Sequence, residues 1–242
     1  MRVRTLASLI SLSLALAAGP ALAQQDVDKV FGGITAQADQ EYGSLSSVNG
    51  GITVREGAKV ESAETVNGGI TIHDRARVGS AETVNGGITL GEGARAGSLE
   101  AVNGGIRLAK GARVDRDIEA VNGGIRVAEQ AEVVGDIENV NGAITLRGAQ
   151  VGGDVTTTNG DIVLAGGTHV DGGILVEKPT GNWWKSEDRQ VPRIVIGANS
   201  VVAGSLVFEH EVELFVHPTA KIGPVTGATA QPFTDTLPPR SK

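Results

Sequence analysis

The chain has 242 residues, of which only 3% are aromatic and 35 are glycine, with no cysteine and a net charge of −7. So few aromatics exclude a globular core built on Phe and Trp, the lack of cysteine excludes a disulfide framework, and mild acidity excludes bulk-charge capture of nucleic acid. Abundant glycine without a triplet period excludes collagen and suits many tight corners around a thin core.

Residues 1–23 read as a secretory signal peptide. Arg2 and Arg4 precede an apolar run from Leu6 to Ala18, and Ala21-Leu22-Ala23 is a small-x-small cleavage site before Gln24. The run is shorter than the ~20 residues that a membrane span needs. The expectation is cleavage after Ala23, no membrane span, and a periplasmic or extracellular mature chain. Its net charge becomes −9, because Arg2 and Arg4 leave with the leader.

Further along, one phrase repeats. Val-Asn-Gly-Gly-Ile begins at Val48, Val66, Val84, Val102 and Val121, with softened copies at Val140 (Asn-Gly-Ala) and Thr158 (Asn-Gly-Asp). Its asparagines, Asn49, Asn67, Asn85, Asn103, Asn122, Asn141 and Asn159, recur every 18 or 19 residues. That period is too short for two helices, or for a strand plus a helix with connections, and fits one coil of a β-solenoid. Within a coil, apolar residues pair two apart (Ile52 and Val54, Ala58 and Val60), and a valine-like position returns every six residues at Val48, Val54 and Val60. Three short strands per coil account for both spacings. The expected fold is all-β: a single-stranded triangular β-solenoid over residues 24–229, with about ten coils.

The glycines mark corners. Asn-Gly-Gly offers residues that tolerate positive φ. A second corner reads Glu56-Gly57, Glu92-Gly93, Lys110-Gly111 and Arg147-Gly148, and a third Gly135-Asp136 and Gly153-Asp154. On the third side the inward residue grows from Ala63 and Ala81 to Leu99, Ile118 and Ile137, and the segment before Ile118 gains one residue, so the prism should widen towards the C-terminus. Phe31 stands in the asparagine place of the first coil and reads as a cap over the core. Residues 177–193, with Pro179, Trp183, Trp184 and Pro192, read as a loop inserted at a corner. Residues 230–242, Pro-containing and terminal, read as a disordered tail.

Stacked coils lie ~4.8 Å apart, so equivalent residues form columns. The seven asparagines should form an amide ladder that joins coil to coil. Lys59, Arg77, Arg95 and Arg113 share one register, and Glu64, Glu82, Glu100, Glu119 and Glu138 share another across a corner. Such stripes read as solvated faces, or as surfaces for side-by-side pairing or for docking a charged envelope polymer. His73, His169, His210 and His217 match no metal-ligand spacing, and neither a nucleophile elbow nor a phosphate-binding loop is present. No catalytic residue, metal or cofactor is therefore assigned. Trp183 and Trp184 are the candidate contact for a partner or a glycan.

The coil Gly148-Ala149-Gln150-Val151-Gly152-Gly153-Asp154-Val155 resembles those of bactofilins, polymer-forming bacterial β-helices, and the Val-Asn-Gly-Gly-Ile runs are similar to bacterial adhesin-like domains. The resemblance covers residues 30–225. It implies a right-handed solenoid and a non-catalytic structural role, as an exported envelope scaffold or adhesin-like rod that associates with itself end to end or laterally. A glycan- or peptidoglycan-binding module working through Trp183 and Trp184 is the alternative. The six-residue rhythm also resembles hexapeptide-repeat acyltransferases, which would imply a left-handed prism with a histidine between subunits.

Overall fold

The computed structural model describes residues 25–179 and 191–234; the leader, Trp183 and Trp184 lie outside the described residues. Among the described residues every regular element is a β-strand. Each strand pairs in parallel with its equivalent one coil later, as in Ile52–Val54 with Ile70–Ile72 and Ile118–Asn122 with Ile137–Asn141. The chain is a parallel β-solenoid of three walls per coil.

The first wall is an 11-stranded sheet running from Ile34–Ala36 to Gln231–Pro232. The second and third walls merge in the early coils into nine-residue strands such as Lys59–Asn67. Within it, Val60 and Ala63 point inward three residues apart, with Glu61 and Ser62 outside, so the strand bends there. From Arg113–Val114 onward the two walls are separate strands, and the added residue, Arg116, lies in the bend between them. The inward residues of this third wall reach Leu206 and Phe208 by the late coils.

The core is one aliphatic column per inward position. Ile52, Ile70, Ile88, Ile106, Ile125, Ile144 and Ile162 are all buried in line, as are the small corner residues Ala58, Ala76, Ala94, Ala112 and Ala131. Coils compensate in volume: Ala63 and Ala81 go with Thr65 and Thr83, whereas Leu99 and Ile118 go with Ala101 and Ala120. Packing at crystal-like density explains the exchange, because a fixed wall length leaves a fixed volume to fill.

Four features go beyond the sequence reading or against it. First, the valine of the repeated phrase faces outward. Val66 is half-buried while Thr65 is the inward residue, 1% exposed. Alternation from Ala63 decides this, and the hydroxyl is satisfied inside: Thr65 Oγ1 donates to Gly50 O at 2.8 Å, and Thr83 Oγ1 to Gly68 O at 2.8 Å.

Second, Asn-Gly-Gly does not need glycine for positive φ in the regular coils. Gly50, Gly68, Gly86, Gly104 and Gly123 all lie outside the left-handed region. They are glycine because successive coils nearly touch: a Cβ on Gly86 would sit 2.5 Å from the Gly68 carbonyl carbon and 2.9 Å from Gly69 N. Left-handed residues instead mark the second corner, once per coil, at Asp39, Gly57, Arg75, Gly93, Gly111, Gln130 and Gly148. There the chain makes a four-residue turn, as in Ala58 N donating to Arg55 O at 3.1 Å.

Third, Phe31 is 78% exposed beside Val30, so it extends the asparagine column and does not cover the core. Its partner across the rung is Asn49, on the outer surface. Fourth, the coil stack continues into the tail. Gln231–Pro232 pairs with Phe215 and Val216, and the Phe233 ring packs edge-on against Phe215 at 6.5 Å. Proline and polar composition hid this last rung, and with it the stack reaches about eleven coils rather than ten.

Candidate functional site

Because the inside is filled with aliphatic side chains, the outer columns are what this protein presents. At the Asn-Gly-Gly corner, Asn67 Nδ2 donates to Asn49 Oδ1 at 3.0 Å. The pattern continues through Asn85, Asn103, Asn122, Asn141 and Asn159, each bond 3.0–3.1 Å. An interior amide therefore uses one of its two N–H donors and one of its two acceptor lone pairs along the axis, leaving one of each outside the ladder.

At the third corner, carboxylates do the same for the backbone. Asp117 Oδ1 accepts from Asp136 N at 2.9 Å, Asp136 Oδ1 from Asp154 N at 2.7 Å, and Asp154 Oδ1 from Gly173 N at 2.7 Å. The Gly-Asp spacing marked this corner, but its role as an acceptor for the next coil is visible only with the coils stacked.

On the second wall the structure brings Lys59, Arg77, Arg95 and Arg113 into consecutive register. Carboxylates close both ends of this column: Glu41 bonds Lys59 at 2.6 Å, and Asp115 and Glu132 hold Arg113. Lys59 keeps the Glu41 carboxyl below the ordinary carboxylate range, and the two carboxylates raise the Arg113 pKa. Beside the column runs an open groove of about 330 Å³. Gly79 and Gly97 form its floor, because the sharp bend places a Cβ of either against the preceding coil. Arg116 reaches back from a later coil to donate to Gly79 O and Ser98 Oγ, both at 3.3 Å. This groove and Arg116 were not singled out from sequence; the only signal was glycine at two successive positions beside the basic register.

The third wall aligns Glu64, Glu82, Glu100, Glu119 and Glu138. Burial, with the Glu64 and Glu100 carboxylates on either side, raises the Glu82 pKa. The histidines do not converge. His73 is exposed at the second corner, His169 Nε2 lies 2.9 Å from Asp171 Oδ1, His210 Nε2 lies 3.0 Å from Thr158 O, and His217 Nδ1 lies 2.9 Å from Thr219 Oγ1. Among the described residues no His, Asp and Glu group is arranged to hold a metal ion, and no helix is long and apolar enough to cross a membrane.

Trp183 and Trp184 lie outside the described residues, but both feet of their segment are anchored. Lys178 N donates to Glu209 Oε2 at 3.0 Å, while Arg193 N donates to Asp161 Oδ1 at 2.9 Å and Arg193 Nε to Glu213 Oε2 at 2.9 Å. Comparison with known protein families, curated proteins and solved structures finds no match.

Proposed function

We propose that this chain is a non-catalytic exported rod of the bacterial envelope, acting as a scaffold or adhesin-like element that associates with copies of itself. One observation carries this reading: identical outward residues stay in register over many consecutive coils, as in the asparagine ladder. A column repeats one contact at ~4.8 Å intervals, which suits multivalent attachment along a surface better than a single reaction centre. Cell fractionation together with electron microscopy of the purified mature protein tests it. Rods about 50 Å long, or multiples of that length, are expected from the coil stack, in the periplasmic or extracellular fraction. A cytoplasmic location, or a strictly monomeric rod at high concentration, would overturn the export or the self-association respectively.

A second reading is favoured by the hydrogen bonds that hold Lys178 and Arg193, described residues on either side of the Trp183–Trp184 segment. It makes that segment a contact for glycan or peptidoglycan. Peptidoglycan pull-down with Trp183→Ala/Trp184→Ala should then lose binding, and unchanged retention removes this reading.

A further inference from the structure

The groove on the second wall poses an electrostatic question that the rest of the rod does not. Like charges on neighbouring rungs repel, and elsewhere in the basic column carboxylates offset this: Glu41 at Lys59, Asp115 and Glu132 at Arg113. Among the described residues Arg77 and Arg95, the two central members, have no carboxylate partner. They are directly paired across adjacent rungs and both are exposed. Both line the groove floored by Gly79 and Gly97. Arg116 reaches across that floor, its Nη2 donating to Gly79 O and standing 3.0 Å from where a Gly97 Cβ would be.

We propose that Arg77, Arg95 and the Gly79–Gly97 floor bind a short uronic-acid oligosaccharide, one carboxylate to each arginine. Arg77 and Arg95 leave the sheet one rung, about 4.8 Å, apart, and their long side chains splay to grip carboxylates of sugars that face the same side of the chain, the first and third of a trisaccharide. Gly79 and Gly97 add no side chain of their own to the floor, Arg116 lies across it, and guanidinium forks hold carboxylates through paired hydrogen bonds. The groove is short: Glu61 and Asp115 stand at its two ends. Asp115 is already paired with Arg113, and the Glu61 carboxylate repels an anion that runs on past the two arginines, so a long polyanion such as nucleic acid is disfavoured against a short ligand. A second copy of the chain fits less well. Its glutamate column is half-buried at Glu64, Glu82 and Glu100, too recessed to reach into a groove, and Arg116 already stands beside Glu82 and Glu100.

The test is calorimetric titration of the mature protein with trigalacturonate, alongside galacturonate monomer, inorganic phosphate and a single-stranded thymidine oligonucleotide. Saturable, salt-sensitive binding of trigalacturonate is expected, weaker for the monomer and for phosphate. Arg77→Gln/Arg95→Gln should lose about tenfold or more, the scale of a charge-assisted hydrogen bond. Its melting temperature should equal or exceed that of the parent, because the substitutions remove a repulsion, and this separates lost binding from lost folding. Absence of trigalacturonate binding, equal binding by the double variant, or equal or tighter binding of the oligonucleotide would each overturn the proposal. So would loss of self-association in the double variant without any glycan binding, which would make the groove a contact between copies. Failure of the rod to self-associate leaves this titration unaffected.

Discussion

Gly86→Ala tests why the repeated phrase contains its first glycine. The added methyl would stand 2.5 Å from the Gly68 carbonyl carbon and 2.9 Å from Gly69 N, with the Gly68 oxygen closer still. That oxygen cannot swing aside, because it accepts the buried Thr83 hydroxyl at 2.8 Å. Nor can the coils separate, because Gly68 N is held to Asn85 O and Gly86 N to Asn103 O, each at 3.0 Å. Overpacking of this kind costs about 1–3 kcal/mol, and a displaced buried hydrogen bond adds about 1 kcal/mol. The expected loss is about 3 kcal/mol, or a melting temperature lower by about 6–12 °C for a chain of this size. Gly69→Ala is the matched control. Its methyl would stand 3.1 Å from Gly87 O and in ordinary contact with Gly87 N at 3.9 Å, and the chain already carries Ala143 at the equivalent position. That variant should stay within about 0.5 kcal/mol of the parent. Thermal melts followed by circular dichroism, with urea titration as a second measure, decide the matter. If the two alanines cost the same, coil contact is not what requires glycine at this corner.

At the second corner, Gly111 has φ +66 and open space around it, so Gly111→Ala isolates the conformational cost and should lose about 1 kcal/mol; Gln130→Gly, at φ +60, should gain a similar amount, both read from urea midpoints. Glu82 has a folded-state pKa above its unfolded value, so its effect favours the fold at acid pH and is lost as pH rises through that pKa. Glu82→Gln should therefore stabilise the protein at pH 7 by about 0.5 kcal/mol, the scale of a like-charge cross-strand pair, with an advantage that shrinks as pH falls into the carboxylate range; a constant advantage would contradict the assignment. Asn85→Ala removes two ladder bonds and should cost about 1–2 kcal/mol, about twice the loss for Asn159→Ala, for which one ladder bond is seen. Asn-Gly bonds deamidate when the glycine nitrogen attacks the asparagine amide, but Gly86 N is bonded to Asn103 O and the Asn85 amide to both neighbours, so peptide mapping should show isoaspartate forming far faster in urea than in the native protein.

The solenoid and its columns were legible because a period of 18 or 19 residues puts equivalent side chains in line whatever the details of the coil. Faces inside a coil were harder. Val66 is more apolar than Thr65, so hydrophobicity alone sends the wrong one inward; the strand's phase, fixed by Ala63, overrides it, and the Gly50 carbonyl accommodates the hydroxyl. The first glycine of the phrase has two candidate reasons that sequence does not separate, since a sequence shows that a residue lacks a Cβ but not whether conformation or a neighbouring coil demands it: Gly32 and Gly142 adopt positive φ there, whereas Gly50, Gly68, Gly86, Gly104 and Gly123 answer to the coil beside them. An aromatic residue in the first coil suggests a lid, yet the register of Phe31 with Asn49 holds it outside. The groove was illegible for a similar reason: Gly79, Gly97 and Arg116 come together only once the bend of the third coil and the extra residue of a later one are both in place.

Variation among the coils of this one chain separates what the rod requires from what its surface offers. The second glycine of the phrase becomes Ala143 and Asp161, while Gly142 and Gly160 keep the first, where a methyl would meet the preceding coil. Outward positions drift more freely: the register of Arg113 continues as Glu132, Gln150, His169 and Val201. Architecture alone therefore tolerates almost any side chain there. Four successive cations on one wall and five successive glutamates on the next run against electrostatic repulsion, and the fold does not ask for either. The coils from Lys59 to Glu138 are thus where selection for a partner is to be sought, and the unpaired arginines at their centre are the place to begin.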